Sequence, residues 1–597
     1  MALLLLFPVP NLVNSGQTAT TVASYEQLVE ALQSEATEIF IEQSLEIDAA
    51  IIIPPGKTVK LASVDSLEAS TLLRAGNYFS ELFIVQHGAT LTLANVIIDG
   101  NRKEVTAHAS LIKVSGELFV EKGTVLQNNE FRNTLPMSYY SGGAIIIEKN
   151  GKVEMHGASL ENNYALYDGG AIYVQGSFLA NESSFKNNRA GNDGGAIALA
   201  NNSETSLRNC KIQQNQTEFL GGGIAVDSGK LSIENCEISD NQSTYGGGIF
   251  AGGATIIKKT KIKNNKADIG GGINFYPVFS ASFILEEVEL IDNQAINGGG
   301  LAVFSDQNIS LLKLMIKNNK ATLGGGIYSF VGKIPLKQST VVNNQADRGG
   351  GIYLQNGSCE LIGSEVSNNR AVNGGGLYLT AIAQLHLVEA TIVDNKATNN
   401  GGGIFAENYN SLYLRSDSVA VFSGNQAAKI FMPPKSAPQT EEQWQGTIST
   451  ISVNIAGDRK LTVYNNCDIN YLAGKELLPY KVVYHSNWDT LQEPLVNELL
   501  PTAVVKVAVN SFVAPLNMRF VAWNTKEDGS GQVYHSNEIL EMPENDLMLY
   551  AIWEHVHHEN VNTGDYNKTN NYALTGLVLS ALAIFLLCFE RKPYNID

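Results

Sequence analysis

The chain reads as an all-β protein, a parallel β-helix of stacked three-stranded coils followed by a small β-domain and one membrane-spanning segment. Three observations predict this. A Gly-Gly-(Ala/Gly)-(Ile/Leu) block recurs eleven times, its third residue at 144, 171, 196, 223, 248, 272, 300, 326, 351, 376 and 403, in steps of 24 to 28 residues. Seven or eight residues before that position the last ten copies carry an Asn, at 163, 188, 215, 241, 265, 293, 319, 344, 369 and 395. Apolar residues also keep fixed distances from both marks, and self-similarity at one period is the signature of a repeat architecture.

The apolar positions define the strands. Directly after the block stand Ile145, Ile172, Ile197, Ile224, Ile249, Ile273, Leu301, Ile327, Ile352, Leu377 and Ile404. Three residues before each Asn the chain is again apolar (Leu160, Phe185 and Ile212 in the first copies), and eight before it as well, from Met155 to Leu387. Ten before it lie Val153, Phe178, Leu231 and Phe283, and pairs two apart share a face of a strand. Each repeat therefore holds three short strands, and copies stack at the strand spacing of about 4.8 Å. Roughly five or six inward side chains per coil, at about 1.5–3 kcal/mol each, offset part of the ordering entropy.

The glycines and asparagines mark corners. Thirty of the 55 glycines fall in the eleven blocks, where a sharp turn needs φ > 0 or close backbone approach. The Asn side chains are suited to bonding turn backbone and to stacking coil on coil. Cys210 and Cys236 both stand five before their Asn, so they are expected as stacked inward thiols, not a disulfide.

Along the chain, residues 1–23 form a leader: Met1-Ala-Leu-Leu-Leu-Leu-Phe7 has the apolar character of a secretory signal but no basic residue ahead of it. A truncated start and a buried first strand both fit that. Residues 24–430 are the solenoid, with an amphipathic helix at 25–33 capping its open end and less regular coils over 38–135. About fifteen coils would make a rod on the order of 70 Å. Pro433, Pro434 and Pro438 break the pattern, so 431–475 reads as linker with two short strands of uncertain allegiance. Residues 476–554 are a second β-domain with an aromatic core that includes Tyr484, Trp523 and Trp553. Residues 555–597 are an anchor: 572–589 is uncharged and long enough to span a bilayer, and Arg591 and Lys592 after it place the C-terminus in the cytoplasm.

Four resemblances follow from these motifs. Gly-Gly-Ala-Ile at 169–172 and 194–197, with Phe185-Lys-Asn-Asn188 between, resembles the repeat of the chlamydial polymorphic membrane proteins. The looser copies resemble the right-handed β-helix, pectate-lyase-like group of surface proteins, which implies a right-handed solenoid. Tyr480-Lys-Val-Val-Tyr484, Phe520-Val-Ala-Trp523, Asp528-Gly-Ser-Gly531 and Leu547–Trp553 resemble the Listeria–Bacteroides repeat of internalin-type surface proteins, with Trp488 where that pattern has a glycine pair. That resemblance implies a β-grasp-like stalk or adhesive module; an unrelated small β-domain is the alternative. Asn562-Thr563-Gly564-Asp565 ahead of the apolar run resembles a Gram-positive sortase sorting signal, although Asn560-Val561 stands where Leu-Pro is usual. It implies cleavage before Gly564 and attachment of Thr563 to the wall; an uncleaved single span is the alternative. Either way the bulk of the chain is expected on the extracellular face.

For chemistry, 41 Lys and Arg against 59 Asp and Glu give −18, which argues against nucleic acid as a partner. Hydrophobic residues at 44% exclude a disordered chain. A β-helix invites an enzyme reading, but fold does not fix function. No catalytic constellation, metal site or cofactor motif is found: Asp168 and Asp193 stack before their Gly-Gly pairs but read as turn residues, and His555, His557 and His558 read as linker. Two residues after the block's third position stand Tyr328, Tyr353, Tyr378 and Phe405, facing outward in consecutive coils, and the next corner carries Tyr276, Phe279, Phe304 and Phe330. This aromatic strip is the candidate binding surface for an extracellular glycan or protein; shielding of the sheet is the alternative. The expected function is a wall- or membrane-anchored adhesin or ligand-binding rod. A surface polysaccharide lyase or hydrolase comes second and a structural spacer third.

Overall fold

A computed structural model describes residues 18–65, 68–132, 142–277, 281–305, 308–407, 419–428, 451–452, 469–471, 480–488, 491–499, 504–541, 543 and 545–555. It divides into two compact units, 1–474 and 475–597. In the first unit one coil runs through Ile327–Val331, Lys333–Lys337 and Thr340–Val342 before returning at Ile352–Leu354. Each strand pairs in parallel with its counterpart one coil on, at the sequence-predicted register: Ile327 faces Ile352, Leu336 faces Leu361, and Val341 faces Val366. Three long sheets result. Sheet C holds 15 strands and begins each coil after the glycine block, sheet A holds 15, and sheet B holds 16.

Alternation turns every second side chain inward, and the inward set forms one continuous buried core from Val22 to Ile469. Helix α1 (Tyr25–Gln33) starts where Ser24 caps it and buries Leu28, Ala31 and Leu32 against the first coils. The strand Ala19–Val22, ahead of the helix, pairs with Glu38–Ile41 as the edge of sheet A. At the far end, Ile469–Tyr471 joins sheet C beside Ile404–Ala406, and Ile451–Ser452 pairs antiparallel with Val419–Ser423, so both strands within 431–475 belong to the solenoid.

The corner chemistry has a distinct cause at each position. The first glycine of the block takes φ near +65° in ten successive coils, from Gly169 to Gly401. The second is excluded from bearing a side chain by its neighbour coil: a Cβ on Gly195 would sit 2.1 Å from the carbonyl oxygen of Gly222. The third tolerates Ala, as at 144, 171 and 196. The Asn residues form a buried ladder. Asn293 donates its amide N–H and its Nδ2 to Oδ1 of Asn319, at 2.9 and 3.0 Å, and also reaches back with Nδ2 to the Ile262 carbonyl at 2.9 Å. The pattern repeats without a gap from Asn163 to Asn395, and single contacts extend the ladder to Asn129 at one end and Asn425 at the other. At the Asn129 end the fully buried Arg74 donates to Oδ1 at 3.1 Å, where no further Asn stands. Cys210 and Cys236 are free and buried, and the Cys210 amide donates to the Cys236 Sγ at 3.3 Å.

The second unit is a five-stranded mixed sheet, ordered Leu495–Leu499, Tyr480–His485, Leu547–His555, Met518–Asn524 and Val533–Tyr534, with a two-stranded pair Val504–Lys506 and Ile539–Glu541. Its core is Val482, Tyr484, Val505, Val507, Trp523, Leu549 and Ala551, and Trp523 donates its ring N–H to the Ala508 carbonyl at 2.8 Å. Among the described residues this unit contains no helix.

Candidate functional site

The three sheets present unlike outer faces. On sheet A the outward rows flanking the central one are rich in charges paired between coils, as in Lys152–Glu117 at 3.2 Å and Lys230–Glu204 at 2.7 Å, while the central row from Leu179 to Ser310 is uncharged. Sheet B carries Lys261–Glu289 and Lys263–Glu237 in the same way. Sheet C is different. Its central outward row runs Tyr173, Ala198, Ala225, Phe250, Asn274, Ala302, Tyr328, Tyr353, Tyr378 and Phe405, in unbroken register and without a single charge.

The predicted strip therefore exists, but half of it is not exposed. Tyr328, Tyr353, Tyr378 and Phe405 retain only 4–5% of their surface and form a second apolar cluster outside the sheet. Sequence alternation put them outside the solenoid core, which is right. It did not show that the glycine corner folds back over the strand it begins. A Cβ on Gly324 would lie 2.2 Å from the Ile327 carbonyl oxygen, so this turn lies directly on the outgoing strand, and Leu323 packs on the aromatic row. The rings stack on one another at 5.7, 5.1 and 5.0 Å between centroids. Their hydroxyls reach into the next coil: Tyr328 donates to Gln355 Oε1 at 2.6 Å and Tyr378 to Glu407 Oε1 at 2.7 Å. Burial holds both phenols well above their ordinary pKa, and the Glu407 carboxylate adds to the effect at Tyr378.

The accessible part of the strip is the neighbouring row. Tyr276, Phe304 and Phe330 are half-buried and form their own ladder, with centroids 5.6 Å apart at both steps and Phe304 also touching Tyr328 at 5.8 Å. Phe279 lies outside the described residues, as do Thr563, Gly564 and the apolar run 572–589. Among the described residues no helix is long and apolar enough to cross a membrane, and no group of three His, Cys, Asp or Glu is placed to hold a metal ion.

The same face carries a feature that the repeat pattern did not reveal. Where the central row shrinks to Ala198 and Ala225, three half-buried carboxylates converge from both sides. Asp168 and Asp193 come from the corner before the strand, and Asp227 from the end of it. Burial raises the Asp168 carboxyl to about 6, with repulsion from Asp227 adding to it and a 2.9 Å bond from Asn192 Nδ2 opposing. Burial and then the charges of Asp168 and Asp227 push Asp193 up well beyond the usual carboxylate range, and burial raises Asp227. None of the three has a Lys or Arg partner among the described ion pairs. A carboxyl raised to about 6, as at Asp168, beside others raised by burial is the kind of group general acid–base chemistry uses. Asp227 belongs to no repeated motif, and only the register between coils brings it to the other two.

Two family models match the chain. That of the right handed beta helix region covers residues 118–280 and 217–371, and that of the Chlamydia polymorphic membrane protein repeat covers 389–407. No curated protein and no solved structure matches it. With coils in register from Ala19 to Tyr471, the first unit is a right-handed parallel β-helix built on repeats of the polymorphic-membrane-protein type.

Proposed function

We propose that the protein is a cell-surface binding rod that engages an extended glycan along the outer face of sheet C. One observation carries this: the half-buried ladder Tyr276–Phe304–Phe330, on a stretch of sheet C remote from its Lys113–Glu148 ion pair, sets aromatic rings in line with the solenoid axis. In this reading residues 555–597 tether the chain to wall or membrane outside a Gram-positive cell, Thr563 is the residue joined to the wall, and the internalin-like module serves as stalk. The buried row from Tyr328 to Phe405 is the support on which the ladder rests. A glycan-array screen of the full-length chain tests it. Phe304→Ala with Phe330→Ala should weaken the neutral-glycan hits by roughly tenfold or more, the loss expected for removing stacked rings worth about 0.5–1.5 kcal/mol each beyond their area, with the variant still folded by circular dichroism at the assay temperature. Unchanged binding would discard the ladder as the contact surface.

A second reading, a surface polysaccharide lyase or hydrolase, is favoured by the Asp168, Asp193 and Asp227 group, because glycoside cleavage uses a pair of carboxyls with unequal proton affinity. A reducing-end product assay on the array hits decides between binding and turnover, with Asp193→Asn as the inactive control.

A further inference from the structure

The residue after each ladder Asn points outward, and these positions bridge coil to coil in a straight column on the corner between sheets B and C. From Arg189 to Gln426 every member is exposed, and each is either a cation or a glutamine. That ten-coil stretch is acid-free in a chain of net charge −18, and the two earlier members of the column are the buried Tyr164 and then Glu130. Its central stretch alternates strictly: Lys266, Gln294, Lys320, Gln345, Arg370, with Lys396 in the next coil. Arg189 pairs with Glu218 at 3.5 Å, but none of Lys266, Lys320, Arg370 and Lys396 has a carboxylate within ion-pair distance among the described residues. Elsewhere on the solenoid outward lysines are commonly paired across coils, so these are the cations left available.

We propose that this column docks an extended acidic glycan bearing one carboxylate per two sugars, laid along the solenoid axis. It is a different face from the aromatic ladder and goes beyond the reading given above. Adjacent coils stand about 4.8 Å apart, close to the length of one sugar ring in an extended chain, so the alternating cations are on the order of 10 Å apart. A disaccharide repeat with a single acid meets a cation at every second coil. The intervening Gln294 and Gln345 amides, which both donate and accept, face the neutral sugar's hydroxyls. Nucleic acid fits less well. It carries a charge on every nucleotide, and the flanking columns hold Asp268 and Asp347 on one side and Asp240, Asp292 and Asp394 on the other, all exposed or half-buried. Between Arg189 and Gln426 the column also has no aromatic residue on which a base would stack, and the Tyr164 ring beyond Arg189 is buried and covered by Arg102 and Arg132.

The test uses the full-length chain and a labelled hyaluronan octasaccharide, which alternates glucuronate with N-acetylglucosamine, followed by fluorescence anisotropy at low salt. The wild type should bind, with affinity falling as salt rises, and Lys266→Gln, Lys320→Gln, Arg370→Gln and Lys396→Gln combined should weaken binding roughly tenfold or more, the loss of a few exposed ionic contacts. A control set on sheet A, Lys152→Gln with Lys230→Gln, should leave it unchanged. Absence of wild-type binding, equal loss in the control set, equal binding of a chitin octasaccharide, or tighter binding of single-stranded DNA each overturns the proposal. Circular dichroism should show all variants folded, since every substituted side chain is exposed. Phe304→Ala with Phe330→Ala should not alter hyaluronan binding, so failure of the ladder and failure of the column are read separately.

Discussion

Sheets A and C are built from the same coils at the same spacing, yet their outer faces obey different physics. On sheet A the outward side chains reach water, and those of the flanking rows pair as ions across coils, as Lys152 does with Glu117. On sheet C the glycine corner folds back over the strand it begins, so outward residues such as Tyr353 are shielded as fully as many core residues. Facing outward in a solenoid is a statement about one side of a sheet. Whether that side meets solvent depends on the turn next to it.

The contrast can be broken most sharply at Tyr353. If the outer row of sheet C is a second core, Tyr353→Ala should cost about 3 kcal/mol or more, the range for losing a large buried aromatic side chain. It should appear as a clear fall in melting midpoint, and a change no larger than at an exposed site would show that the row is mere covering. The carboxyl group gives the next effect. Asp168 has its carboxyl raised to about 6, above the roughly 3.9 of an unfolded chain, so the native state binds the extra proton between those values. Stability should therefore fall as pH rises from about 4 to about 6, by about 1–2 kcal/mol for this half-buried group, and Asp168→Asn should reduce that slope to the part that the raised Asp193 and Asp227 carboxyls contribute. Melting curves of both proteins across this window check it; a slope of the same size in the variant would place the titration elsewhere. The smallest effect belongs to sheet A, where Lys152→Ala should change stability by less than about 1 kcal/mol, as exposed pairs do. A larger loss would mean that its ion pairs act as a network.

Most of the fold was legible because each rule is repeated. The Gly pairs, the ladder Asn and the Ile or Leu after the block are demanded in every coil, so their spacing alone fixed three strands and their register. Helix α1 was legible from its amphipathic pattern. The strand Ile469–Tyr471 was assigned to a linker because it enters sheet C only after a long excursion from the regular period. The aromatic face was half legible. Alternation located Tyr276, Phe304 and Phe330 beside the buried Tyr row, but exposure depended on a turn whose fold-back a one-dimensional pattern does not record. Asp227 was invisible for a related reason: it shares no motif with Asp168 and Asp193 and meets them only through coil-to-coil stacking.

The asparagine ladder has a consequence for how such a chain changes over generations. Every rung from Asn163 to Asn395 makes the same three bonds to its neighbours, as Asn293 does to Asn319 and Ile262, and Arg74 closes the series beyond Asn129. A recombination between two copies of the repeat, in step, removes or adds one whole rung and leaves all remaining bonds with equivalent partners. The gene can therefore lengthen or shorten its product in increments of about 4.8 Å without passing through an unfolded intermediate sequence. Drift within the outward columns can meanwhile rewrite what the surface recognises.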